Sequence, residues 1–127
     1  MTSSLESPIY TTEIPENGQH KVVQVFANNQ PILLIGEIHR RHGDILADFL
    51  KSHGMSYEPE PNVLYSMPRL FGLDYVVVGM GFLLRHARGI AFNGRSSDYR
   101  LGINAEHINA CRQRSLFPRE LTVKAYN

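Results

Sequence analysis

The chain has 127 residues, of which 43% are hydrophobic and 20% charged, with a net charge of +1. That is enough for one domain with a real core, and its bulk charge commits it to neither nucleic acid nor a membrane surface. The single cysteine, Cys111, excludes an intrachain disulfide framework and a cysteine-rich zinc site. No apolar run approaches the roughly 20 residues of a bilayer-spanning helix, and no basic-then-apolar signal pattern opens the chain, so a soluble, cytoplasmic protein is expected.

Residues 1–16 are polar, contain Pro8 and Pro15, and read as a flexible arm ahead of a single α+β domain over 17–127. Asn17-Gly18 is a turn signal. Lys21–Ala27 alternates as a strand, Asn28-Asn29-Gln30-Pro31 turns the chain, and Ile32–Ile38 forms a second strand that can pair with the first. Residues 44–53 place Ile45, Leu46, Phe49 and Leu50 on one helical face, with Asp44 as a cap or first-turn acid and Gly54 as a stop. The proline-rich stretch 55–72 reads as an irregular connection with a short strand near Val63–Tyr65. Asp74–Arg85 is the strongest strand, and Gly79 and Gly81 mark a bulge or bend in it. Ile90–Phe92 follows as a short strand, Asn93–Arg100 as a polar loop, and Asn104 caps a helix over Ala105–Arg114 that Pro118 closes. Leu121–Val123 is the last strand. The order β-β-α-β-β-α-β predicts a mixed, largely antiparallel sheet flanked by two helices.

Charge is unevenly distributed. Residues 1–60 carry a net −4, whereas 85–119 hold seven arginines against Asp98 and Glu106. Arginine forks suit phosphate and carboxylate, so the Arg85–Arg119 region is a candidate surface for a protein partner. Nucleic acid is not expected there, because aromatic residues for base stacking are sparse. The densest local signal is Ile38-His39-Arg40-Arg41-His42-Gly43-Asp44, where an apolar run meets a helix start. Helix N-termini present free N–H groups and positive potential to anions. His42 can serve as a base, and Gly43 would let an oxyanion approach the backbone. The loop Asn93-Gly94-Arg95-Ser96-Ser97 offers hydroxyls, a guanidinium and backbone N–H groups, which together can form an anion nest. No zinc-site spacing, nucleophile elbow or Walker loop is present, so no metal or cofactor is expected.

In this order the motifs resemble the small phosphohistidine phosphatase family, also called the Janus family, over about residues 17–123. The family's opening Asp-Gly-x-x-Lys-Tyr-Val is matched by Asn17-Gly18-Gln19-His20-Lys21-Val22-Val23. Its His-Ala-Asp-Ile is matched by His42-Gly43-Asp44-Ile45, and its glycine-rich strand by Gly79-Met80-Gly81-Phe82-Leu83. A phosphate loop corresponds to Phe92–Asp98. The helix motif Ile-Ser-x-Glu-x-Ile corresponds to Ile103-Asn104-Ala105-Glu106-His107-Ile108, and Tyr-Pro to Phe117-Pro118. Arg40-Arg41 stands where the family has Glu-Tyr, and the loop serine falls on Asn93, or on Ser96 if the loop is shifted.

The resemblance implies metal-free hydrolysis of a phosphorylated protein side chain or a small phosphate compound. His42 would be the base that activates water. Lys21, Gly43 and the stretch Asn93, Gly94, Arg95, Ser96 and Ser97 would hold the phosphoryl group. The alternative expectation is a non-catalytic domain of the same fold that recognises a phosphorylated or acidic ligand, or a protein partner through its arginine-rich surface.

Overall fold

The computed structural model describes residues 13–27, 29–52, 75–97 and 99–126. Among these residues seven strands and two helices follow in the order β1 (Gly18–Ala27), β2 (Gln30–Glu37), α1 (His42–Ser52), β3 (Tyr75–His86), β4 (Gly89–Asn93), β5 (Arg95–Ser96), β6 (Leu101–Gly102), α2 (Ala105–Gln113) and β7 (Thr122–Ala125). The main sheet has the order β2-β1-β3-β4-β7. Its pairs are antiparallel except β4–β7, which is parallel. This is the α+β class expected, with a mixed and mostly antiparallel sheet. None of the described helices is long and apolar enough to cross a membrane.

β1 explains the layering. Successive side chains of a strand point to opposite faces, and Val22 and Val23 are both fully buried, in different clusters. Val23 and Val25 pack with Ile45, Leu46 and Phe49 of α1. Val22 packs with Leu33, Leu83, Phe92 and with Ile108 and Cys111 of α2. The two helices therefore cover opposite faces. The turn between β1 and β2 has Asn29 at φ 65°, a left-handed conformation that asparagine tolerates. In β3 the pairing jumps from Gln24↔Gly79 to Val25↔Val77, leaving Val78 as the extra residue of a bulge. Gly79 is required beside it, since a Cβ there would lie 2.1 Å from the Gln24 side-chain oxygen and 2.8 Å from the Gly102 carbonyl.

Two local expectations change. α1 begins at His42 rather than Asp44, because the Arg41 carbonyl already accepts from the Asp44 and Ile45 N–H groups (3.1 and 3.2 Å). Asp44 is thus a first-turn acid, not the cap. The Asn93–Arg100 loop is partly ordered, with β5 pairing with β6 in a small ribbon. α2 is capped as expected, its Asn104 side chain accepting from the His107 N–H at 2.9 Å. The arm over 1–12, the Val63–Tyr65 strand and the Gly54 stop lie outside the described residues.

A buried polar network docks α2 on the sheet. Gln24, fully buried in β1, donates to the Asn104 carbonyl (3.0 Å) and accepts from the Asn104 N–H (2.7 Å). It also donates to Nδ1 of His107 (3.2 Å). His107 Nε2 donates to the Val25 carbonyl at 2.9 Å, which places the ring proton on Nε2 and leaves Nδ1 to accept from Gln24 and from the Cys111 thiol (3.6 Å). Although this is a Cys–His pair, both residues are fully excluded from water. Burial pushes the Cys111 thiol up to about 12, so it is a neutral packing group and not a nucleophile.

α2 ends in a Schellman motif. Leu116 N–H reaches the Cys111 carbonyl (3.0 Å) and Ser115 N–H the Arg112 carbonyl (3.0 Å), with Ser115 at φ 58° where glycine is usual. Ser115→Gly therefore raises the unfolding free energy by about 1 kcal/mol, read from the urea midpoint. Burial also holds the His107 pKa below its ordinary value, despite the opposing Val25 hydrogen bond. The unfolded chain then binds a proton that the folded chain refuses, so stability falls as pH drops through about 6.5. Urea midpoints between pH 8 and pH 5 will show this decline, and His107→Gln will flatten it.

Candidate functional site

Residues directly opposite one another in antiparallel strands share a face of the sheet. Lys21 of β1 is opposite Phe82 of β3, and Phe82 is opposite Asn93 of β4. The three form a transverse row. Lys21 lies on the same face as Val23 and Val25, so the row belongs to the face that α1 covers. Lys21 and Phe82 are half-buried, and Asn93 is exposed.

The first residue of α1 comes down onto this row. His42 shares the inward stripe of Ile45, Leu46 and Phe49 at helical spacing and is 7% exposed. Its ring meets the Phe82 ring edge-on, with centroids 5.8 Å apart and planes at 74°. His42 Nε2 donates to the Gly81 carbonyl at 2.9 Å. A carbonyl only accepts, so in the neutral ring the proton is on Nε2 and the lone pair on Nδ1. The hydrogen bond sets both the tautomer and the ring plane.

The ribbon closes the other side. Gly94, at φ 78°, lies against the Phe82 ring, so close that a Cβ would be 2.6 Å from Phe82 Cδ2. Tyr99 reaches α1, and a Cβ on Gly43 would be 2.7 Å from the Tyr99 hydroxyl. The space beside Gly43, expected to admit an oxyanion, is filled by this tyrosine. Gly43 is glycine here because Tyr99 packs on it. Ser96 is buried, and its hydroxyl accepts from the Tyr99 N–H (3.3 Å), which makes it a turn former. Arg95 and Ser97 are exposed on the ribbon.

The structure thus brings Lys21, His42, Asn93 and Gly94 together around Phe82. The local arginines divide differently. Arg40 turns back along α1, binding Asp48 at 2.6 Å and the Asp44 carbonyl at 3.3 Å. The Asp48 hydrogen bond raises the Arg40 pKa further above its ordinary value. Arg41 is exposed and lends its backbone carbonyl to the helix start. A shallow cleft of about 190 Å³ between α1 and β2, lined by Leu34, Arg40, Ile45, Asp48, Phe49 and Ser52 among others, does not include His42 or Lys21. Among the described residues no three His, Cys, Asp or Glu side chains converge as a metal site would require.

Sequence reading missed Phe82 and Tyr99. Phe82 looks like one more apolar residue of a strong strand, and its role depends on register, which is set by pairing. Tyr99 is a lone aromatic in a polar loop, which was the available signal. Because Gly94 combines a left-handed backbone with contact against the Phe82 ring, Gly94→Ala costs about 1–3 kcal/mol of stability and shifts the His42 ring resonances as Phe82 is displaced. Chemical denaturation and imidazole NMR measure the two effects. No protein-family model matches this chain, and no curated protein is significantly similar to it in sequence.

Proposed function

We propose that this chain carries out metal-free hydrolysis of a phosphorylated protein side chain or a small phosphate compound, in the manner of the phosphohistidine phosphatases its motifs resemble. The observation that carries this reading is the row Lys21–Phe82–Asn93 with His42 seated against its centre. Elements distant in sequence bring Lys21, an imidazole of defined tautomer and a polar turn to positions bordering Phe82. Phosphoryl transfer asks the protein mainly for positioning and charge stabilisation. In this reading Lys21 meets the phosphoryl oxygens, Arg95 and the N–H groups of Asn93–Ser97 flank them, and His42 Nδ1 takes the proton of the attacking water. The Gly81 carbonyl steadies the imidazolium that forms. His42 is nearly enclosed, so in this reading water reaches it past the half-buried Phe82.

That enclosure favours a second reading, in which the same row binds a phosphorylated or acidic ligand without hydrolysing it. Lys21 and the 93–97 turn would then hold the ligand while His42, bonded to Gly81, only anchors the helix.

Hydrolysis of phosphohistidine and of an aryl phosphate, wild type against His42→Ala, separates the two. The hydrolytic reading expects turnover by the wild type and a fall of about 10²–10⁴-fold in the variant. His42→Gln, which can still donate to Gly81, controls for folding and is expected to be as inactive as the alanine variant. Wild-type protein that turns over neither substrate, or turnover that survives both substitutions, would sink the hydrolytic reading. Lys21→Ala weakens phosphate binding under either one, as calorimetry would measure.

A further inference from the structure

A different surface lies at the far edge of the sheet. A groove of about 610 Å³ runs between the end of α2 and β7, lined by Arg112, Ser115, Phe117, Pro118, Arg119, Leu121 and Val123. That volume is within the range of sites that hold ligands of modest size. We infer that this groove binds an extended acidic peptide segment of a partner protein, which adds as a strand to the outer edge of β7.

The backbone supplies the first part of the argument. Among the described residues β7 pairs on one side only, with β4. Thr122 N–H donates to the Arg88 carbonyl (3.0 Å) and Tyr126 N–H to the Phe92 carbonyl (2.8 Å). Alternate residues of a strand face the same neighbour, so Val123 and Ala125 direct their N–H and C=O groups outward. Open strand edges of this kind are templates for strand addition.

Charge decides the partner. Arg112 and Arg119 stand on the rim. Arg112 places one guanidinium nitrogen on the Asn109 side-chain oxygen (2.7 Å) and the other on the Val123 carbonyl. Both acceptors are neutral. A carboxylate is a stronger acceptor for a guanidinium than a carbonyl is. An incoming glutamate or aspartate would draw the Arg112 fork onto itself and free the Val123 carbonyl for the new ladder. Arg112 thus caps the edge at rest and grips an acidic strand when one arrives. The apolar floor of Phe117, Pro118, Leu121 and Val123 accepts the alternate side chains of such a strand.

The test uses the full chain, ¹⁵N-labelled, with three hexapeptides. These are acetyl-Glu-Val-Glu-Leu-Glu-Val-amide, its lysine counterpart, and the acidic peptide N-methylated at alternate residues. The acidic peptide is expected to shift the Val123 and Ala125 amides and to bind about tenfold or more tighter than the lysine peptide. N-methylation, which removes ladder donors while keeping charge, should weaken it by a similar factor. Arg119→Glu, an exposed change, and Arg112→Glu should each reduce affinity roughly tenfold, the size of one charge-assisted contact. Failure of the acidic peptide to bind, equal binding of the lysine peptide, indifference to N-methylation, or tighter binding of an oligouridylate would each overturn the inference.

Discussion

Four consecutive side chains of β1, Val22 to Val25, are fully excluded from water, and the rest of the molecule is arranged to make that possible. A strand buried on both faces needs a partner on each edge and a layer on each side. β2 and β3 supply the edges, α1 covers one face, and α2 the other. The one polar member, Gln24, could not be buried unpaired without a cost of about 1–3 kcal/mol. Its amide is satisfied by the backbone of Asn104 and the ring of His107, so the same residue that threatens the core also fixes where α2 starts.

The candidate site is a consequence of this constraint. Gln24 opposite Gly79 and the Val78 bulge beyond it set the register of β3 against β1. With that register Lys21 falls opposite Phe82. A slip of one residue would send Lys21 and Phe82 to opposite faces. α1, held by Ile45, Leu46 and Phe49 over the same face, then has no choice but to deliver His42 onto Phe82. The site is therefore built at the border of the core, where a buried imidazole is oriented by a main-chain carbonyl and a half-buried lysine lies across one strand. The arginine-lined groove by β7 is on the α2 side, lined by Phe117, Leu121 and Val123, whereas His42 sits on the face that α1 covers, so a ligand in the groove need not disturb His42.

Much of the fold was legible because hydrophobic period reports burial directly. The alternation in Lys21–Ala27, the long apolar run of β3 and the Asn104 cap each carry their own local physics, and each element formed where the pattern placed it. Legibility failed where an element's identity rests on a partner. The two-residue strands β5 and β6 have no period to display and exist because they pair with each other. The start of α1 moved back to His42 because a backbone carbonyl, which has no sequence signature, does the capping. In sequence Gly43 looks like room for a ligand, and in the fold it is room for Tyr99, since sequence marks the missing Cβ but not what occupies the space.

By itself, then, the sequence determined the class of fold, the inward placement of Ile45, Leu46 and Phe49 in α1, the chemical repertoire of lysine, histidine and a glycine-containing turn, and the crowding of arginine into residues 85–119. These follow from spacing and side-chain type, which are local. Only the tertiary structure decided that Lys21, His42 and Asn93 meet around Phe82, that His42 carries its proton on Nε2, that Arg40 turns away toward Asp48, and that Cys111 and His107 are an inert pair. Those outcomes depend on strand register, on which carbonyl lies opposite a ring nitrogen and on burial from every side, and such relations come into being only when distant segments pack.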